Sequence, residues 1–550
     1  MATCTQYSSA FEITKDDLAF YEKVSPVFCG KKELIPPPTL CPDCRQQRRL
    51  AFRNERSLYH RKCDLTGKQI IAMYSPEKPC TVYDRSAWWG DGWDPLSFGR
   101  DFDFSRPFFE QCAELLLAVP RMNLNNEEPE NSEYCNFAVK NKNCHLLFGG
   151  LENEDCLYSN RILYSRNCCD CSGVERCELC YECVDCQQCY HCRSLQNCSN
   201  SFDCFLGYDL RGCRNCFGCF GLQNASFCIG NKQYAEADYS KAIASITENF
   251  ESMKGNFDAH KRTLPRKYMD AINAVDCTGN AILHSKHARD CFEVMNLQDC
   301  RFLCNATFMK DSYDINNDDH SELIYEAIGS ETNSMDLFCD ICWYDRDLTY
   351  CSLCFHSQNL FGCVGLKRAK YCILNKQYTK EEYEGLVPKI IDHMRKTGEW
   401  GEFFPIPLSP FAYNESMAQD YYPLTQNIAE HSGWSWKGEE EQKQYLGPDY
   451  VVPGTIAEVD DDITKQILRC SVTGKPYRIV PQELTFYRSL GIPVPRKCPD
   501  QRHKERMALR NPRKLWNRQC AKCHKPIATS YAPERPEIVY CEQCYLSSVY

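Results

Sequence analysis

Five cysteines, Cys135, Cys156, Cys177, Cys198 and Cys219, stand 21 residues apart, and through them runs Cys177-Glu-Leu-Cys180-Tyr-Glu-Cys183-Val-Asp-Cys186-Gln-Gln-Cys189-Tyr-His-Cys192. A fixed period marks a repeat architecture, in which each unit buries its apolar face against the next. From Cys135 to Cys228 there are 18 cysteines, and all but Cys169 fall on positions divisible by three. Other positions in that phase, among them Ala138, Gly150, Ile162, Val174, Leu195 and Leu222, are uncharged and mostly small or apolar, so this phase faces inward. A flat strand would alternate with period two; period three implies short strands broken by frequent bends. Seven triplets make one 21-residue turn, and the expected fold is mainly β, a parallel β-helix-like solenoid with cysteine ladders.

A second, more eroded series keeps the same step through Cys300, Ser321, Cys342 and Cys363. Both series end alike: Phe217-Gly-Cys219 to Asn231-Lys-Gln-Tyr234 returns as Phe361-Gly-Cys363 to Asn375-Lys-Gln-Tyr378, each followed by a charged helical stretch. The chain divides into an N-terminal zinc-ribbon-like unit over 1–93, an aromatic linker and cap over 94–130, a first solenoid block over 131–234, and a helical insertion over 235–270. A second block over 271–378, a helix and extended linker over 379–469, and a C-terminal zinc-ribbon unit over 470–550 complete it. In the cap, a helix starting near Ser105 with Pro107 at an early position is expected to turn Phe108, Leu115 and Leu116 inward against the first coil. The run Lys437-Gly-Glu-Glu-Glu-Gln-Lys443 reads as solvated linker.

The two terminal units are copies. Cys41-Pro-Asp-Cys44-Arg45, with Arg49, Arg53, Asn54, Arg56 and Cys63 behind it, recurs as Cys498-Pro-Asp-Gln501-Arg502, with Arg506, Arg510, Asn511, Arg513 and Cys520. Each copy reads as two cysteine-knuckle modules joined by a short basic helix. Cys520-x2-Cys523 and, after seventeen residues, Cys541-x2-Cys544 have the spacing of a four-thiolate zinc site, two knuckles converging on one tetrahedral ion. The equivalent places in the first copy keep only Cys63, beside Thr66, Asp84 and Ala87, so that module has lost its metal. Cys4, Cys41 and Cys44 form a second candidate site, with Tyr7 where a fourth thiol is expected and Cys29 as its possible replacement. The other module of the last copy retains only Cys470 and Cys498.

The string Phe11-Glu-Ile-Thr to Asp17-Leu18-Ala-Phe20-Tyr21, followed by Pro-Pro-Pro-Thr-Leu-Cys41-Pro-Asp-Cys44-Arg45, resembles a zinc-ribbon domain of many uncharacterised bacterial proteins. The whole layout resembles a family of large cysteine-rich bacterial proteins with such domains at their ends. The likeness covers about a sixth of the chain at each end and implies metal binding, through α+β zinc-ribbon or treble-clef-like modules, with no implied activity. Tyr7 departs from the family's paired thiols.

Composition narrows the function. At 550 residues the chain exceeds one ordinary core, and with 43% hydrophobic and 25% charged residues it has globular usage. No stretch nears the roughly 20 apolar residues of a membrane span, so no membrane partner is expected. The opening residues have neither a basic nor an apolar leader region, so a cytoplasmic address is expected, where 41 cysteines are thiols or metal ligands in preference to disulfides. A net charge of −10 disfavours an all-over nucleic-acid coat. The reading that follows is a zinc-binding repeat protein acting as a binding or scaffold module for a protein partner. Three alternatives stand beside it. The basic segments around Arg45, Arg49, Arg53, Arg56, Arg502, Arg506, Arg510 and Arg513 could dock on RNA or DNA, against the stronger structural reading in which they pair with the acidic middle of the chain or brace the Asn54 and Asn511 turns. The thiol ladder could hold soft metal or an iron–sulfur cluster in a redox role, against its simpler use as small buried hydrophobes. A carbohydrate-active β-helix enzyme would need convergent carboxylates, and no pair stands out among Asp203, Asp209, Asp314, Asp318 and Asp319; His284, His287 and His320 read as structural.

Overall fold

The computed structural model describes residues 1–246, 250–438 and 450–549; most of the acidic run 437–443 therefore lies outside the described residues. The middle of the chain is a parallel β-solenoid, as expected, but its coil is shorter. Asn136 pairs with Phe148, Phe148 with Asn160, and Asn160 with Ser172; in the next strands Cys204 pairs with Cys216 and Cys216 with Cys228. A turn is twelve residues, four triplets and not the seven that the 21-residue spacing suggested, except at the start of the second block, where Ala271 pairs with Ile282 across eleven. The physical reason is a left-handed backbone residue just before each inward position, with φ near +50° at Asn143, Leu146, Glu152, Asp155, Tyr158 and onward. Each bends the chain through a corner, and four corners close a square coil. Asn, Asp and Gly, which enter this conformation at least cost, recur there, as at Asn143, Gly149, Asp155, Asn167, Asp170 and Gly173. The true ladder is Cys144, Cys156, Cys168, Cys180, Cys192, Cys204, Cys216 and Cys228, all buried; the 21-residue series runs diagonally, advancing one turn and three further sides at each step.

The same geometry explains why the core holds small polar and thiol side chains. Two of the three N–H groups in a triplet reach carbonyls of neighbouring turns, as in Phe148 to Ser159 and Glu152 to Val139. The inward residue's N–H has only the core to face, and a buried unmet donor costs roughly 1–3 kcal/mol. The inward side chain twelve residues earlier accepts it. Ser132 takes Cys144, Asn141 takes Asn153, Ser159 takes Cys171, and Cys177 Sγ takes Cys189 at 3.5 Å. In the second block Ser312, Asn333, Asp336 and Asp345 do the same for Ile324, Asp345, Leu348 and Ser357. Thiols also donate, Cys168 Sγ reaching the carbonyls of Arg166 and Cys177 at 3.3 and 3.5 Å. Cysteine suits these positions because it is small, apolar, and a weak donor and acceptor at once.

Each block ends in a short antiparallel hairpin, Ser226–Ile229 with Lys232–Gln233 and Lys370–Ile373 with Lys376–Gln377. Asn231 and Asn375 seal these ends by bonding the N–H and C=O of Phe220 and Val364, whose edge would otherwise be open. Helices flank the coils in chain order: α1 Lys15–Val24, α2 Pro42–Leu50, α3 Arg85–Trp89, α4 Phe108–Ala118, α5 Glu236–Ile246, α6 Phe250–Lys261, α7 Lys380–Thr397, α8 Met417–Tyr421, α9 Gln426–His431, α10 Pro481–Leu490, α11 Pro499–Ala508 and α12 Glu542–Val549. In α4, Phe108, Leu115 and Leu116 are buried as expected, and Pro107 stands just before the helix. The partner differs from expectation: Phe108 meets Tyr350 and Phe361, with ring centroids at 5.1 and 5.4 Å. The cap therefore covers the end of the second block. The start of the first coil is met instead by the N-terminal unit, where Asn136 donates to the Asn54 carbonyl at 3.0 Å.

The terminal units dock crosswise. In the N-terminal unit, α1 stacks Phe20 on Tyr313 of the second block at 3.8 Å and sets Tyr21 against Tyr325 at 5.3 Å. In the C-terminal unit, α10 sets Tyr487 against Tyr181 of the first block at 6.0 Å, and Glu483 accepts from Tyr158 at 2.8 Å. The farther modules repeat the symmetry: strand Val82–Tyr83 runs parallel to Arg121–Met122 ahead of the first block, and Val539–Tyr540 parallel to Arg266–Lys267 ahead of the second.

Candidate metal centres

The C-terminal site is built from a hairpin and a helix start. Strands Trp516–Gln519 and Pro526–Thr529 pair antiparallel, and the tight turn between them carries Cys520 and Cys523, with His524 at φ 60° closing it. Cys541 precedes α12 and Cys544 sits in its first turn, the layout of a treble clef. The four sulfurs lie within 4.8 Å of one another, Cys523 and Cys541 at 3.7 Å. A tetrahedron of Zn–S bonds about 2.3 Å long places its sulfurs about 3.8 Å apart, so the quartet fits a tetrathiolate ion. Burial opposes ionisation of Cys520, but the N–H groups of Cys523, Cys541 and Lys522 outweigh it and bring the thiol down to about 6. Burial first, then the neighbouring thiols, push Cys544 up to about 12. Four thiols this close favour an ionised set only when a cation shares their charge.

At the other end, the hairpin Ala2–Thr3 with Ala10–Phe11 carries Cys4, while Cys41 precedes α2 and Cys44 lies in its first turn. Their sulfurs also lie within 4.8 Å of one another, Cys4 and Cys44 at 3.5 Å, and all three are buried. A hydrogen bond from Cys44 is the main cause that brings the Cys41 thiol down to about 5. Cys29 does not join them. It is exposed in the hairpin ahead of the cysteine pair, 3.6 Å from the Glu384 carbonyl on α7. The insertion that carries it packs on α7, where Phe28 meets Tyr383, and this removes it from the knuckle. Tyr7, 53% exposed, turns its hydroxyl to Gln47 at 3.5 Å, so the trio has three protein donors.

The two remaining modules keep the same hairpin-and-helix frame without a sulfur cluster. Cys63 Sγ accepts the N–H groups of Asp84 and Thr66 at 3.2 and 3.4 Å, and Asp64 takes that of Val82 at 2.7 Å. Cys498 has Thr473 Oγ1 at 3.9 Å. Hydrogen bonds here hold together the frame that an ion could cross-link in the twin modules.

The arginine segments face the solenoid. On α2, Arg45 meets Asp314 at 2.9 Å, Arg49 meets Asp314 and Glu326 at 3.3 Å each, and Arg48 meets Glu326 at 3.0 Å, all with side chains under a tenth exposed. On α11, Arg502 and Arg506 both clasp Asp170, the latter at 2.5 Å, and Arg502 adds Glu483 at 3.2 Å. Arg510 and Arg513 grip Glu293 of the second block at 2.5 and 2.6 Å. Arg53 bonds Glu55 at 2.7 Å and lies over the Phe137 ring, while Arg56 reaches Asp500 at 3.4 Å. Pairing with the middle of the chain, one of the two expectations for these residues, is what Arg45, Arg49, Arg502, Arg506, Arg510 and Arg513 do, whereas the ion pairs of Arg53 and Arg56 lie within and between the terminal units. The signal sequence reasoning lacked was the partner: Asp170, Asp314, Glu293 and Glu326 look like ordinary outward coil residues.

The remaining candidates are also engaged. Asp203 bonds His191 and Asp299 bonds His287, each at 2.7 Å; His320 meets Asp319 at 2.9 Å; Asp318 takes the Ser321 hydroxyl at 2.8 Å; Asp209 takes that of Tyr545 at 2.5 Å. Among the described residues, the sulfurs of the solenoid form lines and bring no three or more ligand atoms within 4.8 Å of one another. The described helices include none long and apolar enough to cross a membrane.

Fold and sites together define a β-solenoid protein with duplicated terminal modules whose cysteine clusters can hold a metal ion. Set against family models and curated proteins, the chain finds no match.

Proposed function

We propose that the chain is a zinc-binding scaffold, in which Cys520, Cys523, Cys541 and Cys544 hold one ion and Cys4, Cys41 and Cys44 a second. The observation that carries this reading is the sulfur quartet, spaced as a tetrahedral thiolate site requires. When bound, zinc cross-links the hairpin to the helix start in a module too small to supply a core of its own. The chain's own residues do the rest. Arginines on α2 and α11 lock the two modules to coil carboxylates, and the solenoid offers a long, rigid surface to a protein partner in the cytoplasm. Because these arginines are engaged internally, nucleic-acid docking is the weaker reading, and the hydrogen-bonded thiols of the coil speak for packing over redox chemistry.

The test is metal analysis on anaerobically purified full-length protein, alongside the Cys520→Ser variant. Zinc near two equivalents, falling by about one in the variant, is expected. Iron with visible absorption, or no metal at all, would overturn the reading. Gel shifts with RNA and DNA at low salt are expected to show no binding.

A further inference from the structure

The two cysteine clusters differ in one respect that changes their chemistry. The C-terminal quartet is complete, whereas among the described residues no fourth His, Cys, Asp or Glu joins the N-terminal trio. Tyr7 occupies the chain position of the missing knuckle thiol and points its hydroxyl to Gln47. Two of the three thiol residues, Cys41 and Cys44, also border open space. Cys41, Cys44, Tyr7 and Ser9 line one end of a cleft of 1210 Å³ between the two terminal units, which continues past Tyr422 to Trp516. A site with three protein ligands and a fourth position open to solvent is the arrangement of an ion that takes an external ligand; a closed set of four is structural.

We propose that the metal ion at Cys4, Cys41 and Cys44 binds a small exogenous thiol from this cleft. The proposal rests on the reading of the trio as a metal centre. Ligand chemistry selects the thiol. Three thiolates make a soft donor set, the twin quartet has sulfur in the corresponding place, and a divalent ion deprotonates a thiol that coordinates it. The exchange balances simply: the metal–sulfur bond replaces a metal–water bond, water leaves to the cleft, and the thiol proton goes to solvent, with no change of oxidation state.

The experiment uses the full chain loaded anaerobically with two equivalents of cobalt(II), whose sulfur-to-metal charge-transfer absorption counts thiolates. Titration with 2-mercaptoethanol is expected to raise that absorption saturably by about one-seventh, one thiolate added to the seven of the two sites. Imidazole at the same concentrations is expected to produce no such rise. The Tyr7→Cys variant supplies the missing donor internally; it is expected to show the higher absorption from the outset and no response to thiol. Two bound cobalt ions with no saturable thiol response, or a Tyr7→Cys variant that responds as the parent does, would overturn the external-ligand proposal and leave the metal reading standing. A single cobalt ion, still retained by Cys4→Ser, would overturn the trio as a metal centre and the proposal with it.

Discussion

Removing Asp170 tests how the terminal units are held. Its side chain is fully buried and receives both Arg502 and Arg506, themselves 6% and 5% exposed. Deleting one member of a buried ionic cluster leaves the others charged and dry, which costs about 3–5 kcal/mol, more than the intact cluster contributes in net terms. In Asp170→Ala, Arg502 keeps Glu483 at 3.2 Å, but Arg506 keeps only the Tyr158 carbonyl at 2.8 Å. The equivalent carboxylate in the second block, Asp314, is backed up. Glu326 lies within 4 Å of Arg45, Arg48 and Arg49. Its counterpart in the first block, Glu182, has turned away to Lys254 and Ser194.

Asp170→Ala is therefore expected to lower the opening free energy of α11 by about 4 kcal/mol, and Asp314→Ala to lower that of α2 by about 2 kcal/mol. Native-state hydrogen exchange read by mass spectrometry gives the two helices separately, which matters because a chain of this size does not unfold in two states. Added salt is expected to leave both values unchanged, since buried pairs are poorly screened. A loss of less than about 1 kcal/mol in Asp170→Ala, or a larger loss in Asp314→Ala, would refute the reasoning.

Three further outcomes follow from other parts of the structure. Chelation of the C-terminal metal is expected to abolish exchange protection in α12, which spans only Glu542–Val549, while the coil keeps its own. Asp345, buried with its carboxyl raised to about 9 by desolvation and then by Cys354, is protonated in the folded coil and ionised when unfolded. Its contribution is full below pH 3.8 and is lost as pH rises toward 9, so Asp345→Asn, which keeps the acceptor for Ser357, is expected to gain on the parent by up to about 1.4 kcal/mol per pH unit across that window in urea unfolding. In the ladder, Cys177→Ala strands the Cys189 N–H and is expected to cost about 1–3 kcal/mol, whereas Cys177→Ser retains an acceptor and costs less; equal losses in thermal melts would argue against the hydrogen-bond account.

Much of this architecture was legible because inward positions repeat every third residue whatever the coil length. Period three fixed the phase, and the copied terminal units and their four cysteines fixed the C-terminal site. Coil length was not legible from the 21-residue series, because that series is a multiple of three that coincides with no stacking direction. The informative pattern was Asn, Asp and Gly one residue ahead of the inward phase, together with cysteine at every twelfth position from Cys144 to Cys228. The partners of Cys29 and of the arginines are not legible for a different reason. Which neighbour they meet depends on how the units fold back on the coil, and that information lies hundreds of residues away, in Glu384 for Cys29 and in Asp314 and Asp170 for the arginines.

The crosswise docking gives the duplication a physical meaning. Arg45 stands to Asp314 as Arg502 stands to Asp170, and Tyr21 to Tyr325 as Tyr487 to Tyr181, and in each of these pairs the terminal unit meets the block from the other half of the chain. A half consisting of one terminal unit and its own block would leave a buried-type arginine cluster and its complementary carboxylate both exposed. Two such halves satisfy each other by a two-fold exchange, the self-complementary contact of an isologous dimer. In this chain that contact is made within one polypeptide, so the second copy of each element is required for burial of the first. The copies differ in parts the clamp does not use: one module of each pair has hydrogen bonds where its twin has a sulfur cluster, and Tyr7 stands where the C-terminal quartet has a further thiol, while the frame of the N-terminal trio is held by Arg45 and Arg49 against the second block.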